Sequence, residues 1–414
     1  MIAVPAHYDI HQRWATVQAA EIAGFSSVRL INEATAAVLA YKKGSPIKDS
    51  VLVFDFGAGT LDVSVVEWEE CLAEVKACAG DNQLGGDDFD EVIFNLAREQ
   101  IRKHIGNVQL DAFQGQILTE VARQAKIQLS SASETTLHLP GFIRISNITK
   151  DLSLQLDRQT FETAAKPLFD RAKQVLTLAL EDSRISHTKV SKLLLVGGTS
   201  RLPYIRRMVE QIVEQAPITS LDPESGVCEG ACLLSAVYSG TLNNLLLLDV
   251  TPISYSVGLK DDVASVVIPR NTTLPTRKIN SFTTAEDNQT EITVRVYQGE
   301  SALASKNSFV GQPRLAGITP APSGTPGIDI CFDIDNGGNL RVSATDKATQ
   351  KKVEAVLESP YRLNPAQMKL LHRKVHKEIE AHVATENNRR TVAEESEVRA
   401  LSSLSSCAIS MPRK

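Results

Sequence analysis

The chain has 414 residues, a formal charge of −5, and 22% charged and 5% aromatic side chains, enough length for two or three domains with cores of their own. That balance leaves no basic footprint for nucleic acid. No apolar run reaches membrane length, and the start shows no secretory n-region and h-region, so neither nucleic acid nor a membrane is an expected partner and the expected location is cytoplasmic. The six cysteines (Cys71, Cys78, Cys228, Cys232, Cys331, Cys407) have no metal-knuckle spacing. Cys228 and Cys232, one helical turn apart, are expected to be small core residues of a reduced protein.

In chain order, Glu33 to Tyr41 reads as an Ala-rich helix. The stretch Val51 to Val66 (VLVFDFGAGTLDVSVV) follows, an apolar run into Asp55, a small-residue turn, then alternation at Leu61, Val63 and Val65. This predicts two strands joined by a tight loop. A Gly-Ala-Gly-Thr turn exposes amide N–H groups to an anion because side chains do not stand in the way. Asp55 and Asp62 flank it, where carboxylates can hold a hydrated Mg²⁺ against phosphate oxygens. An ordinary glycine-rich hairpin is the alternative. Amphipathic helices are expected over 86–105 and 160–182. Lys192 to Val196 is a strand running into Gly197-Gly198, with Thr199 or Ser200 as a helix cap, Pro203 in the first turn and a stripe of Ile205, Met208, Val209 and Ile212. Neither glycine element matches a P-loop or a dinucleotide fingerprint.

From Thr251 the period changes to two. Ile292, Val294 and Val296 alternate with polar neighbours, as do Ile328, Ile330, Phe332 and Ile334, and Asp335-Asn336-Gly337-Gly338 supplies hairpin chemistry before Leu340 and Val342. An antiparallel β-sandwich is the expectation. Asn364-Pro365 caps and opens a helix with stripe Met368, Leu371, Val375, Ile379 and Val383. His372, His376 and His382 on it are expected on a solvated face, and the Ser/Glu-rich tail after Arg390 is expected to be disordered.

A strand, glycine turn and acidic residue, followed far downstream by strand, Gly-Gly and helix, resembles the actin, sugar-kinase and heat-shock ATPase superfamily. Ile2-Ala3-Val4-Pro5-Ala6, Gln12-Arg13, Arg29 to Ala37 (RLINEATAA), Leu84 to Asp90 (LGGDDFD), Leu245 to Pro252 (LLLLDVTP), Arg270 to Thr276 (RNTTLPT) and Phe332 to Asp335 (FDID) resemble the 70-kilodalton heat-shock chaperone family, in order, to about Asn388.

The resemblance implies a multidomain chain: a partial actin-like α/β ATPase domain (1–242), an interdomain linker (243–249), an antiparallel β-sandwich that binds peptides (250–360), a short C-terminal helical segment forming a truncated lid (361–390) and a disordered tail (391–414). It implies ATP or ADP with Mg²⁺ as cofactor. Gly57, Ala58, Gly59 and Thr60 would form a phosphate loop, Thr60 near the γ-phosphate, with Asp55 and Asp62 near the metal's water and Glu33 facing the same cluster. Gly197, Gly198, Thr199 and Arg201 would form the adenosine-side loop, Lys126 and Ser130 would lie over ribose and adenine, and Glu224 at the adenosine edge. Peptide contacts fall on Val257, Lys260, Phe282, Ala285, Ile292 and Val294. Unfolded or extended peptides, J-domain co-chaperones and nucleotide exchange factors are the implied partners, with Arg13, Arg29, Asn32, Thr35 and Asp249 at co-chaperone and linker positions.

Departures accompany the match. The motifs start inside the family's first lobe, so its first phosphate loop and catalytic lysine are not among them. Impaired hydrolysis and weakened nucleotide binding are the expectations that follow, with a peptide- or co-chaperone-binding module as the alternative role. Ala58 stands for a glycine, Ile127 for an arginine that stacks on adenine, Lys260 for an apolar arch residue, Asp261-Asp262 for a glycine pair and Asn339 for an apolar pocket residue.

Overall fold

The computed structural model describes residues 1–41, 48–106, 109–145, 148–218, 225–242, 245–325, 327–335, 337–356, 363–364 and 366–380. Glu224, Asn243-Asn244, His382, Val383 and the expected tail lie outside them. The chain forms two compact units, residues 1–13 with 29–360, and residues 14–28 with 361–414.

The first unit begins with β1 (Ile2–Val4), the start of α1 (Ile10–Ile22), β2 (Leu30–Asn32), α2 (Glu33–Tyr41), β3 (Asp49–Phe56), β4 (Leu61–Glu69) and β5 (Leu72–Asp81). It continues through α3 (Gly86–Ile105), α4 (Ala112–Leu129), β6 (Glu134–Ile145), β7 (Ile148–Asp157), α5 (Arg158–Ala164), α6 (Lys166–Ser183), β8 (Lys192–Val196), α7 (Pro203–Val213), α8 (Gly226–Tyr238) and β9 (Leu246–Leu248). These build a five-stranded mixed sheet, β8-β3-β4-β5-β9, parallel at both edges and antiparallel in the centre.

Both faces of that sheet are buried, which is why β3 reads as an almost continuous apolar run. Leu52, Phe54 and Phe56 with Leu61, Val63 and Val65 pack on Phe89, Ile93, Leu118, Phe169 and Ile205 of the helices on one side. Val51, Val53 and Val66 pack on Ala34, Ala37 and Val38 of α2 and on Ala231 and Leu234 of α8 on the other. Period two therefore assigns Asp55 and Asp62, cross-strand partners in the β3–β4 register, to the face that α2 covers.

Three expectations for this part of the chain need correction. The helix expected over 160–182 breaks at Ala165, because Pro167 has no amide hydrogen to continue α5 and instead opens α6. Neither Thr199 nor Ser200 caps α7. Residues 198–201 form a 3-10 turn and Leu202 precedes Pro203 with no side-chain cap. Cys228 and Cys232 are exposed, because α8 turns Gly226, Gly230, Ala231 and Leu234 inward instead.

The unit continues with β10 (Tyr255–Gly258), β11 (Ala264–Ile268), β12 (Thr276–Thr283), β13 (Glu291–Thr293), β14 (Val296–Gln298), β15 (Ser308–Gly311), β16 (Arg314–Ala316), β17 (Gly327–Ile334), β18 (Leu340–Asp346) and β19 (Lys352–Val356). They form four-stranded antiparallel sheets β11-β10-β14-β15 and β12-β17-β18-β19 and the pair β13-β16. Val294, Val296, Ile328, Ile330, Phe332 and Ile334 are all buried, as alternation predicts, while Ile292 is half-buried. The run 292–296 is nonetheless split between β13 and β14. The neighbouring segment carries Pro313 between β15 and β16, which cannot donate to a ladder, and Val294 N–H reaches the Pro313 carbonyl at 2.9 Å.

In the second unit, a helix spans 366–380. Asn364 caps it reciprocally: Gln367 N–H donates to Asn364 Oδ1 and Asn364 N–H to Gln367 Oε1, both at 2.9 Å. His372 is not on a solvated face. It is half-buried, its Nδ1 is 2.7 Å from the Ile22 carbonyl, and its ring meets His376 edge-on.

Candidate functional site

The loop between β3 and β4 closes through Gly57 N–H to the Thr60 carbonyl at 3.0 Å, leaving Ala58 and Gly59 exposed. The start of α3 is pinned to it: Gly86 N–H donates to the Gly57 carbonyl (3.0 Å) and Asp87 N–H to the Ala58 carbonyl (2.8 Å). A Cβ on Gly85 would strike the Ala58 backbone, so only glycine permits this approach. From the third side, Thr199 Oγ1 donates to the Gly57 carbonyl at 2.8 Å. Gly197, at φ +76°, lets the turn after β8 pass against the Phe56 carbonyl.

Behind the loop stand Asp55 and Asp62, both buried, and Glu33 at the start of α2. Burial first and the Asp62 charge second push the Glu33 carboxyl up to about 7. Burial, then Glu33, then Asp62 push Asp55 well above the usual carboxylate range. A cluster of buried oxygens destabilised by mutual repulsion is suited to a hard divalent cation.

Beside the loop, a cavity of about 770 Å³ opens between α4 and the 3-10 turn after β8, a size typical of small-molecule sites. Ala58, Lys126, Ser130, Gly198, Thr199 and Arg201 line it, six of the sequence-derived nucleotide positions, together with Arg123, Ile127, Asp87 and Asp90. Lys126 Nζ is held by Asp90 Oδ1 (2.9 Å) and donates to the Gly86 carbonyl (2.7 Å). Sequence reasoning missed Asp90. Its signal was the acidic cluster directly after Gly85-Gly86 at a helix start.

The peptide set is dispersed over three sheets. Val257 (β10) and Val294 are buried, Phe282 (β12) and Ile292 (β13, opposite Leu315) are half-buried, and Lys260 and Ala285 are exposed. Asp261 and Asp262 both adopt φ +60°, the region a glycine pair prefers, and the Asp262 carboxylate accepts from Ser305 N–H at 2.8 Å. Asn339, which stands for an apolar pocket residue by resemblance, is exposed in the β17–β18 turn and donates to the Asp335 carboxylate.

Arg13, Asn32, Thr35 and Asp249 do come together. Arg13 donates to Asn32 Oδ1 (2.6 Å), Asn32 Nδ2 to Asp249 Oδ2 (2.9 Å), and Thr35 Oγ1 approaches the same oxygen at 3.5 Å. Arg29 lies 4.4 Å over the Tyr238 ring. Asp249→Ala leaves these buried donors unmatched and should cost about 1.5–3 kcal/mol in urea unfolding, with Asp249→Asn costing less. Equal midpoints for Asp249→Ala and wild type would remove the network from the account.

Fold and site together define a mixed α/β chain whose glycine turn borders a ligand-sized cavity and has buried carboxylates behind it. The Hsp70 protein family model matches residues 1–408, and the chain belongs to the Hsp70 family. It is 40% identical over 398 residues to the chaperone protein DnaK of one strain of Thermus thermophilus and 39% identical over 398 residues to that of a second strain of the same organism. Each alignment covers 95% of this chain and 64% of the relative, so the chain spans just under two thirds of the length of these relatives. Among the described residues no helix is long and apolar enough to cross a membrane.

Proposed function

We propose that this chain acts as an Hsp70-type chaperone in the cytoplasm, binding ADP or ATP with Mg²⁺ beside the β3–β4 loop and extended segments of unfolded proteins on residues 250–360. The observation that carries the nucleotide half is the cavity in which Lys126, Ser130, Gly198, Thr199 and Arg201, drawn from α4 and the turn after β8, meet Ala58 of the loop. Thr60 and the loop amides would face phosphate, and Asp55, Asp62 and Glu33 would hold the hydrated metal, which supplies charge neutralisation when bound. The proposed organisation is a partial actin-like ATPase domain to residue 242, a linker to 249, a peptide-binding sandwich to 360, then a short lid. The Asp249 network would report on co-chaperones and exchange factors.

Hydrolysis is proposed to be weak. The carboxylate cluster is governed by burial and mutual repulsion, and Lys126 is committed to Asp90 and Gly86, whereas phosphoryl transfer depends on positive groups placed around the moving phosphate. This favours a second reading, a binding module without turnover. Single-turnover assays with labelled ATP distinguish the two: brisk turnover abolished by Thr60→Ala would defeat the weak-hydrolysis proposal.

For the peptide half, Ile292→Phe in the full chain should weaken binding of labelled apolar peptides by about tenfold, roughly 1.4 kcal/mol, without changing the unfolding midpoint. Equal fluorescence anisotropy titrations for the two proteins would remove Ile292 from the groove.

A further inference from the structure

His7, Asp62 and Cys78 converge on one point although the sequence separates them widely. In the β4–β5 register Asp62 pairs with Gly80 and Ser64 with Cys78, so Asp62, Cys78 and Gly80 share one face of the sheet. His7, from the loop after β1, reaches that face because Gly80 has no side chain. A Cβ there would lie 2.7 Å from both Asp62 Oδ1 and the His7 ring. The His7 backbone is clamped from two sides: its N–H donates to Asp62 Oδ1 (3.0 Å) and its carbonyl accepts from Asn82 Nδ2 (2.6 Å). His7 Nδ1 then stands 3.5 Å from Asp62 Oδ1 and 3.7 Å from Cys78 Sγ, and no pair of the three donor atoms exceeds 4.8 Å.

We propose that His7, Asp62 and Cys78 form a binding site for a borderline-soft divalent transition metal of the Zn²⁺ class, separate in chemistry from the Mg²⁺ proposed for the nucleotide. Tetrahedral zinc with bonds of about 2.0–2.3 Å places its donors roughly 3.3–3.8 Å apart; the two edges from His7 Nδ1, 3.5 and 3.7 Å, fall in that range, and the Asp62–Cys78 edge, within 4.8 Å, closes on the ion by side-chain rotation. Thiolate, imidazole and carboxylate together select Zn²⁺ or Co²⁺ over Mg²⁺ and Ca²⁺, which prefer oxygen ligands only. Three protein ligands leave a fourth position for water or for an oxygen of a bound ligand. Metal binding displaces the Cys78 thiol proton to solvent, and no electron is transferred. Asp62 is the shared residue: an ion held with His7 and Cys78 draws on the carboxylate that the nucleotide site also needs. Metal binding itself does not rest on the nucleotide proposal.

Co²⁺ is the probe. In the full chain with Cys71, Cys228, Cys232 and Cys407 replaced by serine, stripped of metal with a chelator, Co²⁺ should bind at one equivalent. Binding should show a thiolate-to-cobalt charge-transfer band and the strong visible bands of a tetrahedral ion. Cys78→Ser and His7→Phe should each weaken Co²⁺ binding by more than the roughly 10–100-fold that loss of an outer partner costs. Gly80→Ala should do the same by filling the gap that His7 enters. As a check independent of these spectra, one equivalent of Zn²⁺ should raise the thermal midpoint of the parent protein and leave that of Cys78→Ser unchanged. No thiolate band at saturating Co²⁺, or an equal Zn²⁺-induced shift in Cys78→Ser, would overturn the site.

Discussion

Gly230→Ala should destabilise the chain by about 3 kcal/mol or more, at the upper end of the range for overpacking. Gly230 lies where α8 crosses α2, with Gly226, Ala231 and Leu234 on the same buried face of α8 and Ala34, Ala36 and Ala37 buried on α2. A methyl group there falls on the Ala36 carbonyl, an obstacle that cannot rotate away as a side chain would. The two helices must separate, and contacts beneath them loosen together, because the interior is close-packed. Alanine's better helix propensity recovers only about 1 kcal/mol. Gly115→Ala, in α4 with nothing within 4 Å of the new Cβ, serves as the opposite case and should stabilise by about 0.5–1 kcal/mol. Urea midpoints of the three proteins decide it. A Gly230→Ala midpoint at or above wild type would mean that α2 and α8 do not pack as described.

Glu33→Gln should stabilise the metal-free protein at pH 8 by about 2 kcal/mol and leave it unchanged at pH 4. The Glu33 carboxyl is raised from 4.5 to about 7 by burial and then by Asp62, a difference worth about 3 kcal/mol, which partial exposure trims. Because the folded value lies above the unfolded one, the fold disfavours the charged form. Below pH 4.5 both states are protonated and no penalty exists. Between 4.5 and 7 the unfolded chain ionises first and the penalty grows, and above 7 it is complete. Asp55 is raised in the same direction, so saturating Mg²⁺ should increase the wild-type midpoint more at pH 8 than at pH 5. A Glu33→Gln gain that is the same at pH 4 and pH 8 would contradict the electrostatic origin.

The β3–β4 loop was legible because its signals are local, whereas Lys126, Ser130 and Arg201 were singled out only through the resemblance to the chaperone family. The period of Leu61, Val63 and Val65, and the lack of bulk between Gly57 and Thr60, specify the loop without knowledge of the rest of the chain. So do the strand into Gly197-Gly198 and the cap at Asn364. What was not legible depends on partners distant in sequence. The split of 292–296 falls opposite Pro313, in the break between β15 and β16. Cys228 and Cys232 face outward because Gly230 of α8 packs against Ala36 of α2, which leaves the other side of α8 to solvent. Pro167 stands in the sequence inside a stretch whose amphipathic period continues on both sides of it, so the period alone does not show the break. His7, Cys78 and Gly80 carry no shared motif, and only the β4–β5 register and the return of β1 bring them together.

The central claim is that the cavity between α4 and the turn after β8 holds a nucleotide. Gly198 tests it directly, since it lines the cavity and nothing lies within 4 Å of a Cβ placed there. A side chain at this position therefore fills the cavity without disturbing the backbone around it. Isothermal titration of ADP with Mg²⁺ into wild type should saturate at one equivalent, and Gly198→Leu should abolish the signal while retaining the wild-type urea midpoint. Equal ADP binding by Gly198→Leu and wild type, or no binding by folded wild type, would contradict the assignment.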